Sequence, residues 1–249
     1  MNKSFKIFLI IFSVLLFSKA KSEIILDAEL SYTIPLYIDI GIPGDQGTRF
    51  EASEVSKPKD IFPFRGRLGW RSESGDHEIF ALIAPLFAKY QGELPRDIVF
   101  QDETFRTASS AILGYKFNSY RLSYRYAVIN WDDFKFRAGA AVKIRDAYIE
   151  LSDGENTERK DDLGFVPLLT VMLQYDLNED FSLLLDADGL ASTQGRAFDV
   201  MTGLRYAVSD DLGVRLNYRF LDGGADNNEV YNFAFFNYIS LGMDFKFYN

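Results

Sequence analysis

"KFNSYRLSYRY", residues 116–126, decides how this chain is built. A turn at Asn118–Ser119 gives two short strands and an odd total of eleven for the chain; one continuous strand gives ten. Apolar residues sit at odd positions in Tyr115 and Phe117, then at even positions in Tyr120, Leu122 and Tyr124. A β-bulge inside one strand produces such a one-residue slip. A single-chain membrane barrel also needs an even strand number. Parity therefore predicts one long strand over about 108–130, bulged at Phe117–Tyr120.

Outward from this stretch the period is two. In 134–145, Phe134, Phe136, Ala138, Ala140, Val142 and Ile144 alternate with Lys135, Arg137, Gly139, Ala141, Lys143 and Arg145. In 212–220, Leu212, Val214, Leu216, Tyr218 and Phe220 alternate with Arg215, Asn217 and Arg219. Sustained alternation means a strand with one apolar and one wet face. Several such runs pass ten residues, close to the 9–11 that a tilted strand needs to cross a bilayer. The pattern predicts an all-β fold: a closed antiparallel transmembrane barrel of ten strands, near 24–40, 61–73, 77–90, 108–130, 134–151, 163–176, 181–190, 196–208, 212–221 and 231–247. Short turns are expected at 74–76, 131–133, 178–180 and 209–211, and longer links at 41–60, 91–107, 152–162, 191–195 and 222–229. Short turns at one end and longer loops at the other suit an outer-membrane barrel.

The first residues, MNKSFKIFLIIFSVLLFSKAKSE, have the form of a secretory signal. Lys3 and Lys6 precede an apolar run over 7–17, then small residues Ser18, Ala20 and Ser22 allow cleavage after Ala20 or Ser22. That run is shorter than the ~20 residues of a spanning helix. Residues 1–22 are thus expected to be removed, leaving 23–249 as one barrel domain. The chain has no cysteine, so an exported product relies on backbone pairing and packing rather than disulfides. A formal charge of −9 argues against nucleic acid as a partner. Aromatic residues reach 16% beside 25% charged residues, as when one strand face meets lipid and the other water.

The end of the chain, "GMDFKF" at 242–247, resembles the C-terminal targeting strand of bacterial outer-membrane β-barrel proteins. Gly242, Phe245 and Phe247 carry the likeness; Tyr248 and Asn249 extend past the usual terminal aromatic. The resemblance implies a Gram-negative outer membrane, recognition of this strand by the barrel-insertion machinery, and contact with outer-membrane lipid and lipopolysaccharide. It names a class, not an activity. A monomer is expected.

The faces opposite the apolar ones are charged. Candidate lumen residues are Arg65, Arg67 and Arg71, then Arg121 and Arg125, then Arg137, Lys143 and Arg145 beside Lys135. Asp186, Asp188, Asp199, Arg205, Arg215 and Arg219 follow, with Asp27 and Glu29 on the first strand near Asp244 and Lys246 on the last. Two readings stand: a small-solute channel whose basic wall favours anions, or an ion-paired interior in a barrel too narrow to hold an aqueous pore.

No catalytic constellation emerges, and the chain is not expected to be an enzyme. His77, in "SGDHEIF", flanks a short turn and has no suitably placed serine. Asp186 and Asp188, placed by the pattern near an outer loop, share a face and could do acid–base work, but lumen arginines are the simpler partners. "LDGGADNNEVYNF" offers oxygens without a calcium-loop spacing, and "GLASTQGR" matches no nucleotide loop. No metal or cofactor is expected. Tyr120, Tyr124, Tyr126, Tyr231, Phe233, Phe235, Phe236 and Tyr238 are expected in an interfacial and lipid-facing band. The resulting function is a structural or small-solute barrel; an enzyme acting on envelope lipid or peptide, or a loop-mediated receptor or adhesin, are the alternatives.

Overall fold

The computed structural model describes residues 22–61 and 64–248. The expected export segment lies, apart from Ser22, outside the described residues. Alternation and β-rich composition produce ten antiparallel barrel strands. They are β1 (Ser22–Gly41), β2 (Pro58–Ile61 and Phe64–Ser72), β3 (His77–Ala84 and Phe87–Glu93), β4 (Ser110–Asn130), β5 (Phe134–Ser152), β6 (Thr157–Asp176), β7 (Phe181–Ser192), β8 (Gly195–Ala207), β9 (Leu212–Asp226) and β10 (Tyr231–Tyr248). Each pairs with the next in sequence, and β10 returns to β1 from Glu23↔Tyr248 to Gly41↔Tyr231. Closure leaves the barrel wall without a free edge, which is what a sheet in hydrocarbon requires.

The stretch 116–126 is interior to β4, so the chain has ten barrel strands rather than eleven. The expected bulge at Phe117–Tyr120 is absent. Register against β5 runs unbroken from Ile112 to Tyr126, and the register shift on β4 falls at Val128, between Ile129 and Ala127. Odd residues point inward from Ala111 through Ala127. The apolar slip is real, but the surroundings change instead of the backbone. Below Ser119 the outward residues Leu122, Tyr124 and Tyr126 are exposed while Ser123 and Arg125 are buried. Above it Tyr115, Leu113 and Ala111 are the buried apolar residues.

β10 makes the same change. Ile239, Leu241 and Met243 face outward, whereas Tyr238 and Phe236 are 3% and 1% exposed inside the barrel. The expected aromatic band must therefore give up Phe236 and Tyr238. β1 reaches the same result by another route. Its apolar residues stay at even positions throughout, from Leu26 to Ile40. An extra residue at Leu36, between Pro35↔Phe236 and Tyr37↔Phe235, flips the strand so that Ile38 and Ile40 turn inward.

Two levels follow. At the end holding the short turns, Leu30, Tyr32, Leu163, Phe165 and Leu241 are each at least 70% exposed. An apolar belt of that extent far exceeds what a water-facing surface carries and marks the transmembrane wall. Beyond it, Arg159 and Asp161 replace Leu163 and Phe165 on the outward face of β6, and Glu150, opposite Arg159, does so on β5. There the interior holds an apolar core of Ile38, Ile40, Leu86, Ala88, Tyr90, Leu113, Leu151 and Phe236. The first two long links cap that core. One carries the helix α1 (Ala52–Val55); the other carries a hairpin of Ile98–Phe100 and Glu103–Phe105. Val99 O accepts from Thr48 N–H at 2.9 Å and Ile42 O from Gln101 N–H at 2.9 Å, joining the two. Ile98, Phe100 and Phe105 are 0% exposed beneath them.

The other three expected long links are short. β5–β6, β7–β8 and β9–β10 are joined by 153–156, 193–194 and 227–230, because the strands run on past the belt. β6 starts at Thr157 rather than 163 and β9 ends at Asp226 rather than 221. Mixed charge there is outward strand surface in water, which polarity alone does not distinguish from loop.

A cysteine at position 119, where Ser119 is 3% exposed inside β4, is expected to resist a membrane-impermeant maleimide. One at Asp132, in the exposed turn before β5, should label rapidly; equal rates would restore the turn at 118–119. In the cap, Asp97 accepts from Thr107 N–H at 2.8 Å and from Arg106 at 2.9 Å. The amide first and the guanidinium second hold its carboxyl below the ordinary range. A depressed carboxylate stabilises the fold above its unfolded pKa, and this is lost as pH falls through the folded pKa. Exchange protection of the Thr107 amide should thus persist through the usual carboxylate range and fail only below it.

Candidate functional site in the lumen

Register brings unlike charges side by side on neighbouring strands. Glu23, Asp27 and Glu29 on β1 lie directly opposite Arg71, Arg67 and Arg65 on β2. Their bonds are Arg71–Glu23 at 2.6 Å, Arg67–Asp27 at 2.9 Å and Arg65–Glu29 at 2.9 Å. Register also places like charges together. Asp188 faces Asp199, Arg205 faces Arg215, and Arg121 faces Lys143. Like charges directly opposite destabilise a sheet, so the relief comes from elsewhere in the barrel. Arg121 on β4 reaches both Asp188, at 2.5 Å, and Asp199. Arg219 joins Asp199 at 2.5 Å, Arg205 joins Asp244 at 2.8 Å, and Arg215 joins Asp27 at 2.6 Å.

The longest reach is across the diameter. Arg67 on β2 donates to Asp186 on β7, half-way round the ring, at 2.7 Å. Arg125 on β4 meets the same carboxylate through two donors, at 2.8 and 3.0 Å, and bonds Thr170 Oγ1 at 2.6 Å. Phe80 packs beneath both guanidinium groups, 5.4 Å from Arg67 and 4.6 Å from Arg125. Paired guanidinium and carboxylate groups filling the section leave a cavity of about 130 Å³ toward the turn end, around Arg67, Arg71, Glu78 and Arg205. A second, of about 70 Å³, lies toward the loop end around Phe117, Lys143 and Arg145. Between them sit Arg121, Asp199 and Arg219, each 5% exposed or less.

The structure places the sequence candidates as follows. Arg65, Arg67, Arg121, Arg125, Arg215, Arg219, Asp186, Asp188 and Asp199 belong to this interior network. Arg71 and Arg205 close its turn end. Arg145 lies toward the loop end, bonded to Asp162 at 2.5 Å. Arg137 is 2% exposed and donates to Gly75 O at 3.1 Å; among the described residues it and Lys143 have no carboxylate within ion-pair distance. Asp186 and Asp188, expected near an outer loop, are instead buried in the lumen on arginine partners. Gly242 faces inward, where a Cβ would meet Arg215 at 3.0 Å, while Phe245 and Phe247 pack edge-on, 4.5 Å apart, on the outer surface.

Sequence reading missed Glu23, Glu78 and Thr170. Glu78 sits in "HEIFALIA", where both faces of the strand are apolar and alternation is weak. Its parity with Phe80 and Leu82, both buried, was the available signal. His77 points outward at the turn end, its Nδ1 2.9 Å from the Tyr124 hydroxyl and its ring edge-on to Tyr126. In 222–229, Asp222 is taken by Arg196 and Tyr37, Asn227 caps its own turn, and Glu229 meets Lys160.

No protein-family model and no curated protein matches the chain. Among solved structures, it is similar to the outer membrane protease OmpT from Escherichia coli, with 11% identity and a TM-score of 0.48 over 90% of this chain and 97% of that one. It is also similar to Neisserial surface protein A, with 15% identity and a TM-score of 0.33 over 91% and 97%. The attachment invasion locus protein Ail of Yersinia pestis gives 9% identity and a TM-score of 0.37 over 92% and 99%. No residue role passes from these proteins to this chain.

Asp199→Asn leaves Arg121 and Arg219 short of a buried anion. Breaking such a pair typically costs about 3–5 kcal/mol, so its unfolding midpoint in denaturant should drop well below wild type. Glu229→Gln, which removes one partner of the exposed Lys160 pair, is expected to leave the midpoint in place.

Proposed function

We propose that this chain is an outer-membrane barrel of a Gram-negative envelope whose lumen is braced shut. On this reading it serves as a structural element that holds a folded platform beyond the outer leaflet, and not as an open pore. The observation that carries it is the direct Arg67–Asp186 contact across the barrel diameter, sealed by Arg125 and Phe80. A solute passing this level would have to part charges that are stable only in company.

The apolar belt supports a lipid setting, and the short turns on the same side as Ser22 and Tyr248 support a periplasmic placement of that end. Outer-membrane lipid and lipopolysaccharide would then be its surroundings, with the last strand read by the insertion machinery. Anion preference loses its basis in this arrangement, because Asp27, Glu29, Glu78, Asp186, Asp188, Asp199 and Asp244 share the interior with the arginines. No catalytic step is assigned: Asp186 and Asp188 are held by guanidinium groups, and His77 faces outward. The two capped links and the projecting strands favour recognition at the loop end as the alternative role.

Refolded protein in a planar bilayer is expected to remain silent under an applied voltage. The double variant Arg67→Ser/Asp186→Ser, which removes the brace without leaving a lone charge between those two, should introduce discrete conductance steps. Steady anion-favouring steps from the wild-type protein would overturn the closed reading in favour of a channel.

A further inference from the structure

Lys143 stands apart from the other charges of the lumen. It is 2% exposed, and among the described residues it has neither a hydrogen-bond acceptor nor a carboxylate within ion-pair distance. Its charged neighbours are mainly cations, with the Asp199 carboxylate beyond ion-pair distance and held by Arg121 and Arg219. Arg121 is its register partner on β4, and Arg145 follows two positions along the same inward face of β5. Its ammonium sits 4.4 Å from the centre of the Phe117 ring, a contact worth far less than an ion pair. A buried ammonium without a partner is strongly disfavoured, so this position asks for an anion that the chain does not supply.

Lys143 opens onto the loop-end cavity of about 70 Å³. Inward parity puts Lys143, Arg145 and Lys160 on its wall as cations, with Asp162 as the facing acid, already bonded to Arg145. Arg145 also lines the cavity, and its Nε is buried without a hydrogen-bond partner. Opposite Arg145 stands Gly164, whose missing side chain makes room: a Cβ there would lie 3.1 Å from the guanidinium. Lys116, Arg196, Asp222 and Asn232 also line it, each already partnered within the chain, and the remaining wall is mainly apolar, from Phe117, Ala147, Ile149, Val166, Leu221 and Phe236.

We propose that this cavity is a binding site for a short aliphatic carboxylate, its carboxyl group on Lys143 and Arg145 and its chain against Phe117, Val166 and Phe236. At about 30 Å³ per liquid water the enclosed space holds only the carboxyl end of such a ligand, whose chain extends toward the loop end, and the mainly apolar wall disfavours a bare, strongly hydrated anion. The occupant completes the charge balance that is left open at Lys143. It approaches from the loop end, so its binding is independent of whether the lumen conducts.

The test is calorimetric titration of the folded, heat-modifiable protein in detergent micelles with butyrate, n-butanol and inorganic phosphate. Saturable binding of butyrate is expected, with butanol and phosphate each weaker by about tenfold or more, the scale of one charge-assisted contact or one buried alkyl segment. Lys143→Met should weaken butyrate binding by about tenfold while keeping the barrel folded, since it removes a lone buried charge. Ala147→Phe, which fills the cavity and leaves every charge in place, should abolish binding and decides the matter if the first variant fails to fold. The proposal falls if wild-type protein does not bind butyrate. It also falls if butanol or phosphate binds as tightly, or if either folded variant binds butyrate as well as wild type.

Discussion

The structure depends on a change of solvent part-way along the strands. Near the turn end the outside is apolar and the inside charged; toward the loop end the outside is polar and the inside apolar. Each level obeys the same rule, that a side chain matches what surrounds it, but hydrocarbon and water exchange places. Strands of up to 21 residues, about twice what a tilted crossing needs, are long enough to live in both levels.

Three strands meet this demand in two ways. On β4 and β10 the backbone keeps its alternation, and the apolar residues shift from one parity to the other, at Ser119 and at Tyr238–Ile239. On β1 the residues keep their parity, and the backbone shifts by one at Leu36. The outcomes coincide because the two operations are equivalent for the face a side chain presents. Placing them together lets Tyr115, Phe236 and Ile38 converge on one core beneath the capping links.

The charged level solves a different problem. Charges removed from both lipid and bulk water must find partners, and those partners sit on strands remote in sequence: β2 with β7, β4 with β7 and β8, β1 with β9. Arginine suits this task, since its planar guanidinium can meet two carboxylates at once, as Arg67 and Arg121 do. Lysine presents a single point charge, and Lys143 is left beside an aromatic ring. The same crowding that braces the barrel thereby leaves Lys143, like Arg137, without a carboxylate of its own among the described residues.

Alternation in the sequence was enough to specify a β-barrel and, through parity, ten strands, but it left Glu23, Glu78 and Thr170 out of the lumen. Alternation is a local property with a period of two, and closure imposes parity on the total. It could not say whether the slip at 117–120 was a bulge or a change of surroundings, because both leave the same pattern of letters. It mistook charged strand surface at 157–162 and 222–226 for loop, since water outside a projecting strand selects the residues that water around a loop does. Which arginine meets which carboxylate is visible only in the closed ring. That choice belongs to the shape of the closed ring, which sets strands far apart in the chain face to face across a few ångströms.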